Sequence, residues 1–570
     1  MKIAMAQASP VTGALTTNTS AIVNYILQAR ERQCDLILTP ETCITGYMSC
    51  DLLEVDSYLR DNRRLLLEQI VPATQNITAV VGFVDYREVN GRITDRYNAA
   101  AVIQNRQILG TAHKRCLCRY RFFDETRYYT SGNSTLVLPV QIGEETINLS
   151  PIICEDLWDD NYDISPFREA ADKGASLVTV LNASPFEPDK WDRRLKLVRH
   201  HQSAHPIPIV YTNTTGIGDN LKGIIPFDGR SMAFDARGRM VATGPFFEEG
   251  LVTCKLGPGG QSNPIQPPCW NEDEELHTAL TFTLRKYCEI TGFDRLVLGM
   301  SGGVDSSLCA ALAAEAMGPS SVRGLTLPSR HNSSETREDA EECCANLGVQ
   351  FDTISIDDLY SRTRDTFEKW KTITNGVTAQ NFQARLRGLL LMGISNETGR
   401  MVLATGNKTE LGLGYCTLYG DMVGGMLLIG DVNKNQVYQL TEFINARAGS
   451  DIIPSSVIQR APSAELTADQ SDPFDYPVVA PLVDDLIARK DPTEIVRQFR
   501  NRGLDKRYPN TLYEQYDEND FANLLRDIQT RYHNSAFKRS QASPLVIVSR
   551  RALGFDLRET IINKWNPLKI

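Results

Sequence analysis

The sequence predicts an α/β protein with two domains, and three observations support this. In the first 256 residues, short apolar runs alternate with polar helical stretches, which is typical of layered α/β folds. In the second half, apolar runs again alternate with helical segments, and a glycine-rich loop joins one run to a helix, which favours a doubly wound parallel sheet. Residues 257–268 are too rich in proline and glycine to hold regular structure. We therefore expect domains at 1–256 and 272–570, joined by a linker at 257–271.

The individual elements follow from the same patterns, taken in chain order. In the first domain, strands are predicted at residues 2–7, 35–40, 79–84, 98–103, 146–153, 177–181 and 207–212. The second domain opens on a helix at 272–290, because Asn271 can cap it and acidic residues fill its first turn. The strands of this domain are predicted at residues 296–300, 325–328, 352–356 and 401–405.

Composition and charge narrow the class of protein. Hydrophobic residues make up 42% and charged residues 23% of the 570 residues, as in ordinary globular proteins. The net charge is −10 and the basic residues are dispersed, so we expect neither nucleic acid nor a membrane as a partner. No apolar run approaches the roughly 20 residues of a membrane span, no export signal is visible, and the thirteen cysteines lack the spacing of a zinc site. These features predict a cytoplasmic protein with reduced thiols.

The loop at 301–307, with the sequence SGGVDSS, is predicted to bind phosphate. Glycines allow close approach of the backbone, and the N-terminus of the following helix offers unpaired N–H groups. Asp305 would repel a phosphate unless a cation stood between them, so a metal-bound nucleotide is expected. The loop resembles the pyrophosphate-binding loop of the N-type ATP pyrophosphatases, which split ATP between the α and β phosphates and form an acyl-adenylate. The predicted ATP contacts in this loop are Ser301, Gly302, Gly303, Val304, Asp305, Ser306 and Ser307.

Three reactive side chains in the first half each stand at or just after the end of an apolar strand: Glu41, Lys114 and Cys154. Together they resemble the Glu-Lys-Cys triad of the nitrilase-type carbon-nitrogen hydrolases, and the likeness spans most of residues 1–256. It implies an αββα sandwich for this domain. In such chemistry a thiolate attacks an amide carbon, Glu41 accepts the thiol proton, and Lys114 stabilises the oxyanion. The products are ammonia and a thioester that water hydrolyses.

Resemblance to the glutaminase members of that family also implies a glutamine pocket. An acidic residue suits the α-ammonium group of glutamine and an arginine suits its α-carboxylate. Arg193 adjoins Arg194, so the choice between these two arginines stays open. Residues 115–120 stand where relatives usually carry Leu-Pro-Asn-Tyr, which changes one wall of the pocket. The residues implied by the resemblance are Tyr47, Tyr120, Glu155, Ser184 and Arg194.

Three segments beyond the phosphate loop resemble NAD synthetase, over essentially all of residues 270–570. They are QARLRG at 383–388, TGNKTE at 405–410 and GYCTLYGD at 414–421. The resemblance implies a fold like that of the adenine nucleotide alpha hydrolases, and Mg²⁺ held by Asp305 and Glu410. It implies further ATP contacts at Thr405 and Lys434, with Lys408 as another candidate for a phosphate. Its implied contacts to deamido-NAD are Asn381, Arg385, Arg387, Glu410, Asp421 and Lys538.

The two halves together imply one reaction, that of the glutamine-dependent NAD synthetases. Deamido-NAD and ATP would give an adenylate and pyrophosphate, and ammonia from glutamine would then release NAD and AMP. The implied substrates are glutamine, ATP and deamido-NAD, the implied metal is Mg²⁺, and relatives of this kind are homo-oligomers. Two alternatives stay open at this point. They are another ATP-dependent amidotransferase of the same plan, and a non-catalytic assembly protein built on the same folds.

Overall fold

The computed structural model of the chain describes residues 1–142, 145–257, 263–374, 376–463, 466–467 and 471–562. The chain separates into two compact units. Unit 1 comprises Met1–Asn220 and Ile225–Trp270, and unit 2 comprises Leu221–Ile224 and the chain from Asn271 onward. No helix within the described ranges is long and apolar enough to cross a membrane.

The described part of the predicted linker belongs to unit 1 as far as Trp270, and Asn271 begins the main part of unit 2. Residues 258–262 lie outside the described residues. After them, the Ile265 amide donates to the Met240 carbonyl at 2.8 Å, and the Trp191 indole N–H donates to the Pro268 carbonyl at 3.1 Å. Trp270 packs against the Phe246 ring. Residues 263–270 therefore pack against unit 1 even though they form neither helix nor strand.

Unit 1 contains two six-stranded sheets. Its strands are β1 (Lys2–Gln7), β2 (Leu36–Leu38), β3 (Thr78–Val89), β4 (Arg92–Gln104), β5 (Gln107–His113), β6 (Leu138–Ile142), β7 (Glu145–Ile153), β8 (Leu177–Asn182), β9 (Ile209–Asn213), β10 (Thr215–Asp219), β11 (Gly223–Asp228, whose first two residues fall in unit 2), β12 (Met232–Phe234), β13 (Met240–Thr243) and β14 (Gly250–Lys255). Its helices are α1 (Leu15–Glu31), α2 (Asp56–Leu65), α3 (Val71–Ala73), α4 (Glu125–Tyr128), α5 (Pro166–Asp172) and α6 (Lys190–Ala204). The sheet orders are β14-β1-β2-β3-β4-β5 and β13-β12-β9-β8-β7-β6.

Alternation of side chains along the central strands explains the layering. In β1, Ile3 and Met5 enter a core that also holds residues of β7 and β8, whereas Ala4 lies in a second core beneath α1. In β8, Leu177 and Val178 likewise belong to different cores. Successive side chains of a strand point to opposite faces, so each sheet packs on its partner sheet and on helices. The predicted αββα sandwich is confirmed.

Unit 2 is built on a parallel sheet with helices around it. Its strands are β15 (Leu296–Gly299), β16 (Val322–Thr326), β17 (Gln350–Thr353), β18 (Met401–Ala404), β19 (Met426–Leu427) and β20 (Leu545–Val546). Its helices are α7 (Glu272–Thr291), α8 (Val304–Met317), α9 (Ser334–Leu347), α10 (Asp357–Glu368), α11 (Gly376–Thr398), α12 (Lys408–Leu413), α13 (Lys434–Ala448), α14 (Ser455–Gln459), α15 (Tyr476–Ile487), α16 (Pro492–Arg500), α17 (Leu512–Gln515), α18 (Glu518–Asn534) and α19 (Ala536–Arg539).

The strand order of this sheet fixes where a ligand can bind. The order is β17-β16-β15-β18-β19-β20, and every one of these pairs is parallel. The order therefore reverses between β15 and β18. Ligands of open α/β sheets bind at the carboxyl ends of the strands beside such a reversal. The predicted doubly wound sheet is confirmed, and its switch point lies where the phosphate loop leaves β15.

Candidate active sites

Unit 1 brings Glu41, Lys114 and Cys154 together at the carboxyl ends of strands. Glu41 follows β2, Lys114 follows β5, and Cys154 directly follows β7. All three are buried, and Lys114 Nζ lies 2.7 Å from Glu41 Oε1. Cys154 has a φ of 46°, a strained conformation for a residue other than glycine that is typical of functional positions. Burial raises the pKa of the Cys154 thiol, the charge of Glu41 raises it further, and Lys114 opposes both.

Glu125 and Asn98 complete this cluster, and sequence reasoning missed both. Lys114 Nζ lies 2.8 Å from Glu125 Oε1, while Asn98 Nδ2 donates to Glu41 Oε1 at 2.7 Å. The backbone N–H of Ala183 donates to the other Glu41 oxygen at 2.8 Å. Burial lowers the pKa of Lys114, but the carboxylates of Glu125 and Glu41 raise it well above its usual value. Lys114 is therefore a permanent cation, and Glu41 is held rigidly beside it.

The residues predicted to bind glutamine surround this cluster. Tyr120 Oη donates to Glu155 Oε2 at 3.0 Å, and Tyr162 Oη donates to Glu155 Oε1 at 3.2 Å. Tyr47 Oη donates to Glu125 Oε1 at 3.0 Å. Burial raises the pKa of Glu155, and Lys114 opposes that shift. Two phenols thus fix the Glu155 carboxylate in position.

Both arginines of the predicted pocket already have acidic partners. Arg194 forms a two-pronged pair with the buried carboxylate of Asp228 at 2.9 and 3.0 Å, and it also donates to the Ser184 carbonyl at 2.9 Å. Arg193 pairs with Glu187. An anionic ligand would have to compete with these carboxylates for either guanidinium.

Lys190 is a third cation beside these arginines, and sequence reasoning did not find it. Its ammonium lies 4.0 Å from Glu187 and 4.7 Å from the centre of the Trp158 ring. Burial lowers the pKa of Lys190 to about 8, and Cys154 is among the groups that act on it electrostatically. Lys190 precedes Arg194 by four residues on α6, so the two share one helix face. This four-residue spacing was the one feature of the sequence that could have indicated Lys190 as a site residue.

Unit 2 has a cavity of about 500 Å³ at the predicted phosphate loop. The loop follows β15, and α8 begins at Val304, so the first N–H groups of that helix face the cavity rim. Gly302 has a φ of 79°, and a Cβ there would lie 2.1 Å from the Thr336 carbonyl oxygen, so only glycine fits. The predicted site residues that line the cavity are Ser301, Gly302, Gly303, Val304, Asp305, Ser306, Asn381, Arg387, Thr405, Glu410, Asp421, Lys434 and Lys538.

Lys434 sits between the two carboxylates that were predicted to bind Mg²⁺. Its Nζ lies 2.5 Å from Asp305 Oδ2 and 3.3 Å from Glu410 Oε1, while Asn407 Nδ2 donates to Asp305 Oδ1 at 2.8 Å. Burial raises the pKa of Glu410 to about 8. Burial lowers the pKa of Lys434, but Asp305 and Glu410 raise it above its usual value. The position between the carboxylates therefore suits a cation.

Other predicted contacts of unit 2 lie around or outside the cavity. Lys538 Nζ donates to the carbonyls of Gly414 and Cys416, both at 2.8 Å. Burial raises the pKa of Asp421 to about 6. Two residues of the predicted site, Ser307 and Arg385, are not among those lining the cavity.

Lys408 has a different role from the phosphate contact considered for it. Its ammonium lies 3.1 Å from Asp431 and 3.0 Å from Asp484, and it donates to Ser549 Oγ at 2.9 Å. It is buried and does not line the cavity. Lys408 therefore ties α12 to neighbouring segments of unit 2.

Comparison with known proteins decides the family. The chain is 33% identical to the glutamine-dependent NAD(+) synthetase of Thermotoga maritima, over 99% of both chains. It is 34% identical to the protein of the same name from Synechocystis, again over 99% of both chains.

The chain belongs to the glutamine-dependent NAD(+) synthetase family.

Family models and solved structures agree with this membership in the synthetase family. A carbon-nitrogen hydrolase model matches residues 2–259, and an NAD synthase model matches residues 276–542. The structure of the glutamine-dependent NAD(+) synthetase from Acinetobacter baumannii, solved in complex with ADP, is 30% identical with a TM-score of 0.76, over 99% of both chains. That of the Cytophaga hutchinsonii synthetase has a TM-score of 0.80 at 19% identity over 99% of this chain and 98% of that one, which shows the fold.

Membership of the glutamine-dependent NAD(+) synthetase family disfavours both alternatives to the predicted reaction. The match of residues 276–542 to the NAD synthase model disfavours an amidotransferase with another acceptor. An assembly protein on catalytically dead domains has no need of the buried Lys114 between Glu41 and Glu125, which is costly to maintain without a function. The chain is an amidating ligase.

Proposed function

We propose that the chain makes NAD from deamido-NAD, with ATP as energy source and glutamine as nitrogen donor, and releases AMP, pyrophosphate and glutamate. The observation that carries this is the presence, in one member of the family, of both a buried Glu-Lys-Cys cluster and a phosphate-loop cavity. The proposal assigns glutamine hydrolysis to residues 1–256 and NAD formation to residues 272–570.

In the first half-reaction, Cys154 is the nucleophile. Glu41 takes the proton from the thiol as the sulfur attacks the side-chain amide carbon of glutamine. The ammonium of Lys114 and a backbone N–H near Glu155 stabilise the oxyanion. The carbon–nitrogen bond then breaks, ammonia leaves with a proton, and water hydrolyses the thioester to glutamate. Because Lys114 stays protonated beside two carboxylates, it acts by charge alone.

Recognition of glutamine needs one anionic and one cationic group. Glu155, fixed by two phenols, is the proposed partner of the α-ammonium group. For the α-carboxylate, Lys190 is better suited than Arg194, because Arg194 is already bonded to Asp228 through two nitrogens. Glu187 lies 4.0 Å from the Lys190 ammonium and is itself paired with Arg121 and Arg193, so a ligand carboxylate can bind Lys190.

In the second half-reaction, the deamido-NAD carboxylate attacks the α-phosphorus of ATP. The bond from that phosphorus to the bridging oxygen breaks, and pyrophosphate leaves with the electron pair. Ammonia then attacks the acyl carbon of the adenylate, and AMP leaves. N–H groups at the start of α8 receive the phosphates, as at other helix N-termini. Asn381, Arg387, Asp421 and Lys538 are the proposed deamido-NAD contacts within the cavity.

The donor set of the cavity fits Mg²⁺. Asp305 and Glu410 offer hard oxygen atoms around a position that already accepts a cation, the Lys434 ammonium. No group of three or more metal-ligating side chains occurs in the described part of the chain, so the remaining ligands would come from ATP and water. When bound, Mg²⁺ neutralises charge on the phosphates.

Two features bear on cell location and assembly. All thirteen cysteines are unpaired, which suits a reducing compartment such as the cytoplasm. On α11, Leu389 is 64% exposed and Met392, one turn further along the same helix face, is 39% exposed. Large apolar side chains exposed together mark contact surfaces. We therefore place a subunit contact of a homo-oligomer at this face.

A product assay with isotope-labelled glutamine tests the function. The purified chain is supplied with amide-¹⁵N glutamine, ATP, Mg²⁺ and deamido-NAD. We expect ¹⁵N in the carboxamide of NAD, with one AMP and one pyrophosphate for each NAD. Formation of a different amidated product, or of none, would contradict the proposal.

A further inference from the structure

The phosphate loop of unit 2 carries little net positive charge of its own. Lys434 is the cation nearest the loop aspartate, and it already lies between Asp305 and Glu410. Because two carboxyl groups flank this one ammonium, the group offers no net positive charge to a phosphate. ATP and pyrophosphate are polyanions, so holding them against this loop calls for another cation in addition to any metal.

Three other cations of the cavity, Arg337, Arg387 and Lys538, donate hydrogen bonds to backbone carbonyls elsewhere. Arg337 Nε donates to the Ser333 carbonyl at 3.3 Å, at the start of α9. Arg387 donates to the Leu327 carbonyl at 2.9 Å, beyond the end of β16. Lys538 donates to the carbonyls of Gly414 and Cys416, after α12.

Arg460, the residue that follows α14, lies directly against the loop. It lines the cavity, and its Nη1 donates to the Gly302 carbonyl oxygen at 3.5 Å. Its Nη2 forms an ion pair with Asp339 on α9, whose other carboxylate oxygen accepts a hydrogen bond from Ser456 Oγ at 2.6 Å. Helix α9 also supplies the Thr336 carbonyl that packs over Gly302. The same helix therefore positions both the loop and the arginine.

We propose that Arg460 binds the β- and γ-phosphates of ATP and the leaving pyrophosphate, with Asp339 and Ser456 as positioning residues. A guanidinium has five N–H donors, and its contacts with Gly302 and Asp339 leave others to bind phosphate oxygens. This assignment rests on the proposed function, in which ATP is cleaved between its α and β phosphates.

Arg460 has a defined part in that step. When the deamido-NAD carboxylate forms its bond to the α-phosphorus, the bridging bond breaks and its electrons go to the β-phosphate oxygen. Negative charge therefore grows on the pyrophosphate. A fixed guanidinium beside the loop stabilises this growing charge without having to reorganise. After NAD forms, the same contact retains pyrophosphate, which predicts product inhibition.

Pyrophosphate binding to the full-length chain tests the assignment directly. Inorganic pyrophosphate is titrated calorimetrically in Mg²⁺ buffer into the wild type, Arg460→Ala and Arg460→Lys. We expect Arg460→Ala to weaken binding by about tenfold to a hundredfold, as for loss of a hydrogen bond between charged groups. Arg460→Lys keeps the positive charge but loses the paired N–H donors of the guanidinium, so it should weaken binding less than Arg460→Ala does. The matched control is Arg364→Ala, which removes an exposed Arg–Glu pair on α10, away from the cavity.

The Asp339→Asn variant tests whether Asp339 acts by positioning Arg460. If Asp339 acts through Arg460, Asp339→Asn weakens pyrophosphate binding in the wild type but adds nothing in the Arg460→Ala background. Additive losses would overturn the positioning role. Pyrophosphate affinity of Arg460→Ala within twofold of the wild type would overturn the role of Arg460.

Steady-state rates with ammonium chloride as nitrogen source distinguish this assignment from the proposed function. Arg460→Ala should raise KM for ATP and the inhibition constant of pyrophosphate, while KM for deamido-NAD stays near the wild-type value. A rise in KM for deamido-NAD equal to that for ATP would contradict a phosphate contact. A wild type that binds pyrophosphate through Arg460 but makes no NAD would overturn the proposed function alone.

Discussion

Buried charges set the chemistry of both sites at the scale of single residues. Each site holds a lysine between two carboxylates: Lys114 in unit 1 and Lys434 in unit 2. Such groups cannot change charge cheaply, so they act as fixed electrostatic elements. Among the cations of the predicted glutamine site, Lys190 has a pKa that moves into the working range, because burial lowers it to about 8.

Glutamine use should therefore depend on pH through Lys190. Its folded pKa is lowered, so the ammonium form is lost as pH rises through about 8, while the unfolded chain stays protonated. Between pH 7 and 8.5 we expect kcat/KM for glutamine to fall about fourfold, following the protonated fraction of a group of pKa near 8. Lys190→Met should lower kcat/KM and abolish this fall. The matched control Lys173→Met lies outside the pocket, and persistence of the same pH profile in Lys190→Met would exclude Lys190.

The triad was predicted from its resemblance to that of the carbon-nitrogen hydrolases, with each member at or just after the end of an apolar strand. Glu41, Lys114 and Cys154 could be found in this way, and the structure brings them together. Glu125 and Lys190 could not, because each belongs to a helix that begins after a loop, and its contact with the site depends on how distant segments pack. Their roles depend on tertiary contacts that no local pattern encodes.

The phosphate loop after β15 is the element on which the site of unit 2 is built. Strand β15 and helix α8 fix its two ends, and α9 packs over its middle at Gly302. The sequence predicted this strand-loop-helix segment well, because the apolar run, the glycines and the alanine-rich helix are all local features.

Antiparallel strands β3 and β4 were predicted only in part, since their polar outer ends extend beyond the buried segments that carry the hydrophobic pattern. Strands β10 to β14 were missed because they are short and lack clear alternation.

Gly302→Ala tests the geometry of this loop. The new Cβ would lie 2.1 Å from the Thr336 carbonyl oxygen, so the loop or α9 must shift. A displacement of about 1 Å at a positioning element costs roughly a hundredfold in rate, and we expect such a loss of NAD formation from either nitrogen source.

Gly292→Ala is the matched control for that loss. Gly292, just after α7, has a similar φ of 80° with a ψ of 16°, but a Cβ there meets nothing within 4 Å. This variant should therefore show only the strain of the left-handed conformation, roughly 1–2 kcal/mol of unfolding free energy, with normal activity. Equal activity of the two variants would contradict the proposed tight fit at Gly302.

At the scale of the whole molecule, one chain carries two domains with different chemistries. The two-domain α/β organisation could be predicted from sequence because a Pro/Gly tract separates two different patterns. Residues 221–224 could not be assigned from sequence, since they lie within the first half but cluster with unit 2, where Gly223 pairs with Leu545. The assignment of these residues to unit 2 depends on strand pairing between segments that are far apart in the sequence.

Leu389→Glu tests the proposed subunit contact. A charge at this exposed apolar position of α11 should weaken association, because burying an unpaired carboxylate is unfavourable. Light scattering coupled to size-exclusion chromatography should show a smaller mass at low micromolar concentration. The control Asn24→Glu introduces the same charge at an exposed position of α1 and should keep the wild-type mass. An unchanged mass for Leu389→Glu would place the contact elsewhere.

We propose that Cys154 releases the nitrogen that the synthetase half uses, and the Cys154→Ala variant tests this coupling. NAD formation by Cys154→Ala is measured with deamido-NAD, ATP and Mg²⁺, once with glutamine and once with ammonium chloride. We predict that glutamine-driven synthesis is lost while ammonium-driven synthesis continues near the wild-type rate. Equal loss with both nitrogen sources, or no loss with either, would contradict the proposal that Cys154 supplies the synthetase half with ammonia.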